Sequence, residues 1–369
     1  MHQVIETVLS SLSYSALVVI MKMERIKKLQ KFINENSIDA ALISKRENLF
    51  YFSGASPLAG GYLVVTPDEA IIYVPELEYE ATREETELPV ERFKKLPELY
   101  EKLKPYSVLG IEGSTSFSFM NALKEKAEIK EFRSIDDVIK DLRIVKTKEE
   151  IETIKSACEL ADMAVMAAIE EISEGTRERE IAAKVEYLMK MNGAEKPAFD
   201  TIIASGHRSA LPHGVASDKR IERGDLVVID LGALYRHYNS DITRTIVVGK
   251  PNDKQKEIYE IVLEAQRTGV EKAKPGMTAK ELDSIAREII AEYGYGDYFI
   301  HSLGHGVGLE IHEPPRISQY DETVLKEGMV ITIEPGIYIP KLGGVRIEDT
   351  VVITKDGARR LTKMERELI

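Results

Sequence analysis

Two stretches of this chain repeat each other about 104 residues apart, and that repeat constrains the fold more than any other feature. Glu222-Arg223-Gly224-Asp225-Leu226-Val227-Val228-Ile229-Asp230 parallels Lys326-Glu327-Gly328-Met329-Val330-Ile331-Thr332-Ile333-Glu334. Each has a glycine near its start, then an apolar run of strand length, then a carboxylate. Asp241, before Ile242–Val248, parallels Glu348, before Val351-Val352-Ile353, at an offset of 107. Gly175-Thr176 before one helical pattern parallels Gly276-Met277-Thr278 before another. Two similar half-domains follow, each a helix pair and a carboxylate hairpin. Packed about a pseudo-twofold axis, they bring two Asp and two Glu to one centre.

Acids on apolar strands are costly to bury unless they are paired or bound to a cation. A third element supplies nitrogen. His301-Ser302-Leu303-Gly304-His305-Gly306-Val307-Gly308-Leu309-Glu310-Ile311-His312-Glu313 holds three of the seven histidines. Glycines flank His305, so backbone or ligand can approach it closely. They do not follow the Gly-x-Gly-x-x-Gly spacing, which discounts a phosphate loop. Asp230, Asp241, Glu334 and Glu348 with His305 form a set that suits two divalent metals. An oxygen-rich shell with one imidazole favours Mn, Co or Fe over a thiolate-type Zn site. We expect two ions per chain, Mn or Co, with Fe and Zn as alternatives.

The order Asp230, Asp241, His305, Glu334, Glu348 resembles the dinuclear metallopeptidases of the pita-bread fold. These include methionine aminopeptidase, aminopeptidase P and Xaa-Pro dipeptidase (prolidase). The stretch His301–Glu313 is similar throughout to the proline-peptidase signature. The resemblance covers Thr147 to Ile369 strongly and the N-terminal part more weakly, and in length the chain is most similar to archaeal prolidases. It implies an α+β chain: a pita-bread (creatinase/methionine-aminopeptidase-like) catalytic domain preceded by a smaller α/β domain, working as a homodimer. Asp241 and Glu348 would bridge the ions, Asp230 would bind one or both, and His305 would complete one shell. Glu334 would be ligand and general base. A metal-bridging hydroxide would attack the scissile carbonyl, with His213 and His312 stabilising the carbonyl and the leaving nitrogen. His301 is expected at the substrate. Arg316 is a candidate for holding a dipeptide's free carboxylate.

Arg346, Thr243 and Thr332 each lie two residues from a candidate ligand, on the same strand face, where they can orient carboxylates. Arg346 is also a candidate for substrate contact. The expected reaction is hydrolysis of Xaa-Pro dipeptides to release C-terminal proline. The alternative is an aminopeptidase P cutting the N-terminal residue from Xaa-Pro-Yaa. A non-catalytic pita-bread binding module would have lost ligands, and a metal-free, creatinase-like hydrolase would show a broken acidic set.

The 369 residues lead us to expect two domains. We divide them into an extension at 1–22, an α/β domain at 23–135, a helical linker at 136–146 and the catalytic domain at 147–369. The net charge of −12 argues against nonspecific binding to nucleic acid or to an anionic membrane. A single cysteine, Cys158, excludes an internal disulfide and suits a reducing cytoplasm. The apolar run Tyr14–Met21 is too short to span a bilayer and lacks signal-peptide features. We expect helices at Glu24–Asn36, Leu77–Glu85 and Phe117–Ala127, and strands at Asp39–Ser44, Gly61–Thr66, Ala70–Val74, Ser107–Ile111 and Ile129–Arg133. Glu76, Glu78 and Glu80 read as a solvated face. Thr147-Lys148-Glu149-Glu150 and Thr278-Ala279-Lys280-Glu281 read as capping boxes, and Thr176 as the cap of a helix to Met191.

Overall fold

The computed structural model describes residues 14–367. Of the expected extension, residues 1–13 lie outside them. Tyr14 onward is continuous with the first helix, α1 (Tyr14–Glu35), which therefore starts earlier than Glu24. The chain divides into two units between Arg143 and Ile144. No helix among the described residues is long and apolar enough to cross a membrane.

In the first unit, α1 is followed by β1 (Ala40–Ile43), α2 (Arg46–Ser53), β2 (Tyr62–Val65), β3 (Ala70–Pro75), α3 (Tyr79–Glu85) and β4 (Val90–Phe93). Then come α4 (Leu96–Leu103), β5 (Val108–Ile111), α5 (Phe117–Lys126), β6 (Glu131–Ser134) and α6 (Asp136–Ile144). Six strands form one mixed sheet in the order β4-β3-β2-β1-β5-β6. All four residues of β1 are buried, as expected of a central strand covered on both faces. The elements α2, β4 and α4 are absent from the sequence expectation. Glu78 corrects another point: it is buried, and its carboxylate accepts the Leu58 and Ala59 amides at 3.1 and 2.8 Å. A carboxylate recruited to satisfy a loop's backbone leaves the solvated face its neighbours keep.

The second unit holds the repeat. Its first half comprises α7 (Lys148–Glu171), α8 (Glu178–Met191), β7 (Lys196–Pro197), β8 (Ile202–Ser205), β9 (Leu226–Leu231), β10 (Ala233–Tyr235), β11 (Tyr238–Asn239) and β12 (Ile242–Val247). Its second half comprises α9 (Asp253–Lys272), α10 (Ala279–Glu292), β13 (Gly304–Gly306), β14 (Glu313–Ile317), β15 (Val330–Ile333), β16 (Gly336–Ile339), β17 (Gly343–Arg346), β18 (Asp349–Thr354) and β19 (Gly357–Arg360). Both expected capping boxes form. The Thr147 amide donates to Glu150 at 2.8 Å and the Thr278 amide to Glu281 at 2.7 Å. The cap of α8 is Arg177, not Thr176, because Glu180 reaches back to the Arg177 amide at 3.0 Å. Helix α9 is missing from the expected elements, although Asn252 and Gln255 form a capping box at its start.

The halves match bond for bond. The Gly175 amide donates to Ile221 O at 2.8 Å, and the Gly276 amide to Leu325 O at 2.9 Å. The Glu178 amide donates to Lys219 O at 3.1 Å, and the Ala279 amide to Thr323 O at 2.9 Å. Each half then lays an antiparallel sheet on its helices, β12-β9-β8 in the first and β14-β13-β15-β18-β19 in the second. Strand alternation sorts the side chains. Val227, Ile229 and Leu231 pack with Ala161, Val165 and Val185 of α7 and α8. Ile331, Ile333, Val351 and Ile353 pack with Val262, Leu282 and Ala286 of α9 and α10. Full burial of each Val, Leu or Ile side chain contributes about 1.5–3 kcal/mol. Asp230 and Thr332, at the opposite parity, lie on the other faces.

Candidate metal centre

Those other faces meet. The Thr243 hydroxyl on β12 donates to Glu348 Oε2 at 2.7 Å, and the Glu348 amide donates to Thr243 O at 3.1 Å. The Thr350 hydroxyl donates to Asp241 O at 2.7 Å. Within the first half, Asp230 stands opposite Thr243, two residues from Asp241. Within the second, the β15–β18 register ends at Ile333 opposite Asp349, so the next step sets Glu334 against Glu348.

His305 comes in from β13. Its amide donates to Thr332 Oγ1 at 3.0 Å, and its Nδ1 faces Gly306 O at 3.0 Å. That carbonyl can only accept, so Nδ1 carries a proton and Nε2 is the nitrogen turned to the site. Nε2 lies 3.3 Å from Glu334 Oε1 and 3.5 Å from Asp241 Oδ2. Asp241, His305 and Glu348 each offer an atom within 4.8 Å of the others.

The charge balance fits cations. Asp230, Asp241 and Glu348 are buried, and Arg346 pairs with Asp230, its guanidinium 2.5 Å from Oδ2. Burial, then the charges of Glu348, Asp230 and Glu334, push Asp241 well above the usual carboxylate range. Burial, then Glu334 and Asp230, do the same to Glu348. Burial also raises Asp230, against the opposing pull of Arg346. Burial would raise Glu334 too, but the His305 hydrogen bond and charge outweigh it and bring Glu334 down to about 2. The same contact raises His305 in spite of its burial. Asp230 Oδ1 and Glu348 Oε1 are buried and accept no hydrogen bond. Buried acceptors left over beside clustered acids are what divalent cations satisfy. These residues fit divalent cations.

The other sequence candidates surround this core. The His312 ring lies edge-on to His305 with centroids 4.3 Å apart. Burial and the His305 and His213 charges lower its pKa, so it tends to the neutral form. His213 is exposed and close enough to influence His312 electrostatically. His301 sits behind, with Nε2 2.9 Å from the Tyr338 hydroxyl. Arg346 is 3% exposed; besides Asp230 it donates to Thr243 Oγ1 at 3.1 Å and to the Tyr338 hydroxyl at 2.7 Å. Its guanidinium is thus turned to protein acceptors rather than outward. Arg316 is exposed and stands directly opposite His305 in the β13–β14 ladder, which puts the two side chains on one face of the sheet. Tyr338, which bridges His301 and Arg346, was not among the sequence candidates. Nor was Asn239, whose side-chain amide donates to Gly308 O and Leu309 O at 3.0 Å each.

Residues 152–355 match Metallopeptidase family M24, and residues 25–145 match the Creatinase/Prolidase N-terminal domain. The chain belongs to metallopeptidase family M24. It is therefore a peptidase of the pita-bread fold, and divalent metal binding goes with that membership. It is 79% identical over 346 residues to the Xaa-Pro dipeptidase of Pyrococcus furiosus, covering 94% of this chain and 99% of that one. The crystal structure of the prolidase from Pyrococcus horikoshii OT3 superposes with a TM-score of 0.93 at 73% identity, over 94% of this chain and all of that one. The X-Pro aminopeptidase from Thermotoga maritima MSB8 follows at 41% identity and a TM-score of 0.84, over 90% of this chain and 97% of that one.

Proposed function

We propose that this M24 chain is an Xaa-Pro dipeptidase using two divalent ions, Mn or Co, with Fe or Zn as alternatives. Four convergent carboxylates carry the proposal, two of them with a buried oxygen that accepts no hydrogen bond (Asp230 and Glu348) and two facing His305 Nε2 (Asp241 and Glu334). The near-full-length identity to a protein named for that activity supports the substrate. Asp230, Asp241, His305, Glu334 and Glu348 would hold the ions. Bound there, they supply Lewis acidity, lowering the pKa of water and polarising the scissile carbonyl.

The side chains do the rest. Glu334 takes the proton of the attacking water. His312, whose pKa burial and the neighbouring imidazoles lower, donates to the tetrahedral oxygen or the leaving nitrogen, with His213 beside it. Arg346 holds Asp230 in place, and Arg316 pairs with the free carboxylate of the substrate. We further propose that the enzyme is a cytoplasmic homodimer acting on small peptides. The aminopeptidase P reading is favoured by one observation, the likeness to the Thermotoga maritima X-Pro aminopeptidase. The deciding experiment assays a metal-stripped sample on Ala-Pro and Ala-Pro-Ala, with Mn or Co added back. Restored cleavage of Ala-Pro in preference to the tripeptide is expected. Full activity in a sample proven free of metal would sink the reading, and preference for the tripeptide would move it to aminopeptidase P.

A further inference from the structure

The loop that presents His312 is anchored from below by a buried ion pair outside the candidate metal shell. Lys146 Nζ lies 2.7 Å from Glu313 Oε1, with the two side chains 2% and 4% exposed. Glu313 opens β14 with its side chain buried; its neighbour His312, at the bend just before the strand, lies edge-on to His305. The loop from Val307 to His312 wraps the carboxylate. The Glu310 amide points at Glu313 Oε2 from 3.4 Å. A Cβ at Gly308 would come within 2.5 Å of Glu313 Oε1, so a larger residue there would displace the carboxylate that the loop closes over. Lys146 is itself fixed, its amide donating to Gly328 O at 2.9 Å and its ammonium to Ile144 O at 3.3 Å.

We infer that Lys146 and Glu313 are positioning residues that set the direction of the His312 ring through the backbone between them. This rests on the proposed role of His312. His312 lies at the bend directly before β14, one residue from the anchored Glu313, so holding Glu313 fixes the backbone from which the His312 ring projects, and a local rotation there would carry the imidazole away. Misplacing a reacting group by about 1 Å costs on the order of 100-fold in rate.

The test is a double-mutant cycle with the full chain loaded with Mn, assayed on Ala-Pro. Lys146→Met is expected to lower kcat by roughly 10- to 100-fold with metal content and KM little changed. In a His312→Ala background it should cost less than about twofold, because its effect runs through the ring already removed. Glu313→Gln keeps the side-chain shape and runs the same cycle if Lys146→Met does not fold. Equal losses in both backgrounds would show a pair that only stabilises the fold, and no loss in the wild-type background would overturn the inference outright. His312→Ala at full activity would instead reject the role proposed for His312, a separate outcome.

Discussion

The two halves of the second unit share their backbone bonds and differ in what they hang on them. In the first half, Glu178 is wholly buried at the start of α8. It accepts from the Ser205 and Ser217 amides at 2.8 and 3.0 Å and pairs with Arg208. The matching position in the second half is Ala279, and the buried acid there has moved to Asp283, which pairs with Arg287 at 2.7 Å and accepts the Leu303 amide at 2.9 Å. Asp225, which accepts the Glu222 amide, is matched by Met329, whose sulfur accepts from Lys326. The first half supplies the aspartates. The second supplies the glutamates, with the β13–β14 pair bringing His305 and the loop to His312. A duplicated frame keeps the bonds that close its turns and lets everything pointing away from them diverge.

That comparison can be broken at several levels. If both halves are needed for the metal centre, Asp241→Asn and Glu348→Gln should each strip metal and lower turnover by more than about a thousandfold, since water then returns toward its bulk pKa of about 15.7. Elemental analysis with an Ala-Pro assay checks this, and full metal content in either variant would show the halves to be unequal partners. Next come the unlike braces. Removing one member of a buried pair costs about 3–5 kcal/mol. Glu178→Ala should lie at the upper end and Asp283→Ala at the lower, because Glu178 strands more donors. Urea unfolding measures both, and the reverse order would refute the assignment.

A smaller effect belongs to the second half alone. Arg316→Ala should lower efficiency on Ala-Pro at least ~25-fold, with Ala-Pro-Ala cleavage changed much less and metal content intact. Equal losses on both peptides would reject the carboxylate contact. The smallest effect is a pH dependence shared by the halves. Asp241 and Glu348 are raised above 3.8 and 4.5 in the fold, so the folded chain holds their protons more tightly than the unfolded one. Their contribution to metal-free stability is full below those ordinary values and is lost as pH rises through the raised ones. Mn should therefore raise the melting temperature more at pH 8 than at pH 5. A gain as large at pH 5 would contradict it.

The repeat, the acids and the capping boxes were legible because each is a local pattern: an apolar run with a carboxylate at its end, or a threonine three residues before a glutamate. What escaped depends on partners far along the chain. Glu78 looked solvated among its neighbours because the Leu58 and Ala59 amides it caps lie some twenty residues upstream. Tyr338 gains its interest from His301 and Arg346, and Asn239 from a loop some seventy residues on. Lys146 read as the end of a charged linker, yet its ammonium is buried against Glu313. Periodicity reports which face a residue occupies. It does not report what lies across from that face.

On the role proposed for Arg316, its pairing with His305 makes substrate length a property of the β-ladder. Directly opposite residues sit about 4.5–5.5 Å apart at Cα. On the proposed roles, the point of cleavage and the stop for the chain end thus face each other across one rung of the ladder, and the spacing acts as a caliper. Point changes around the pocket can tune which first residue is accepted without touching it. Admitting a longer peptide requires replacing the arginine itself or slipping the register, and a one-residue slip turns the arginine to the opposite face. On that proposal, selectivity for two-residue substrates is stored in the backbone.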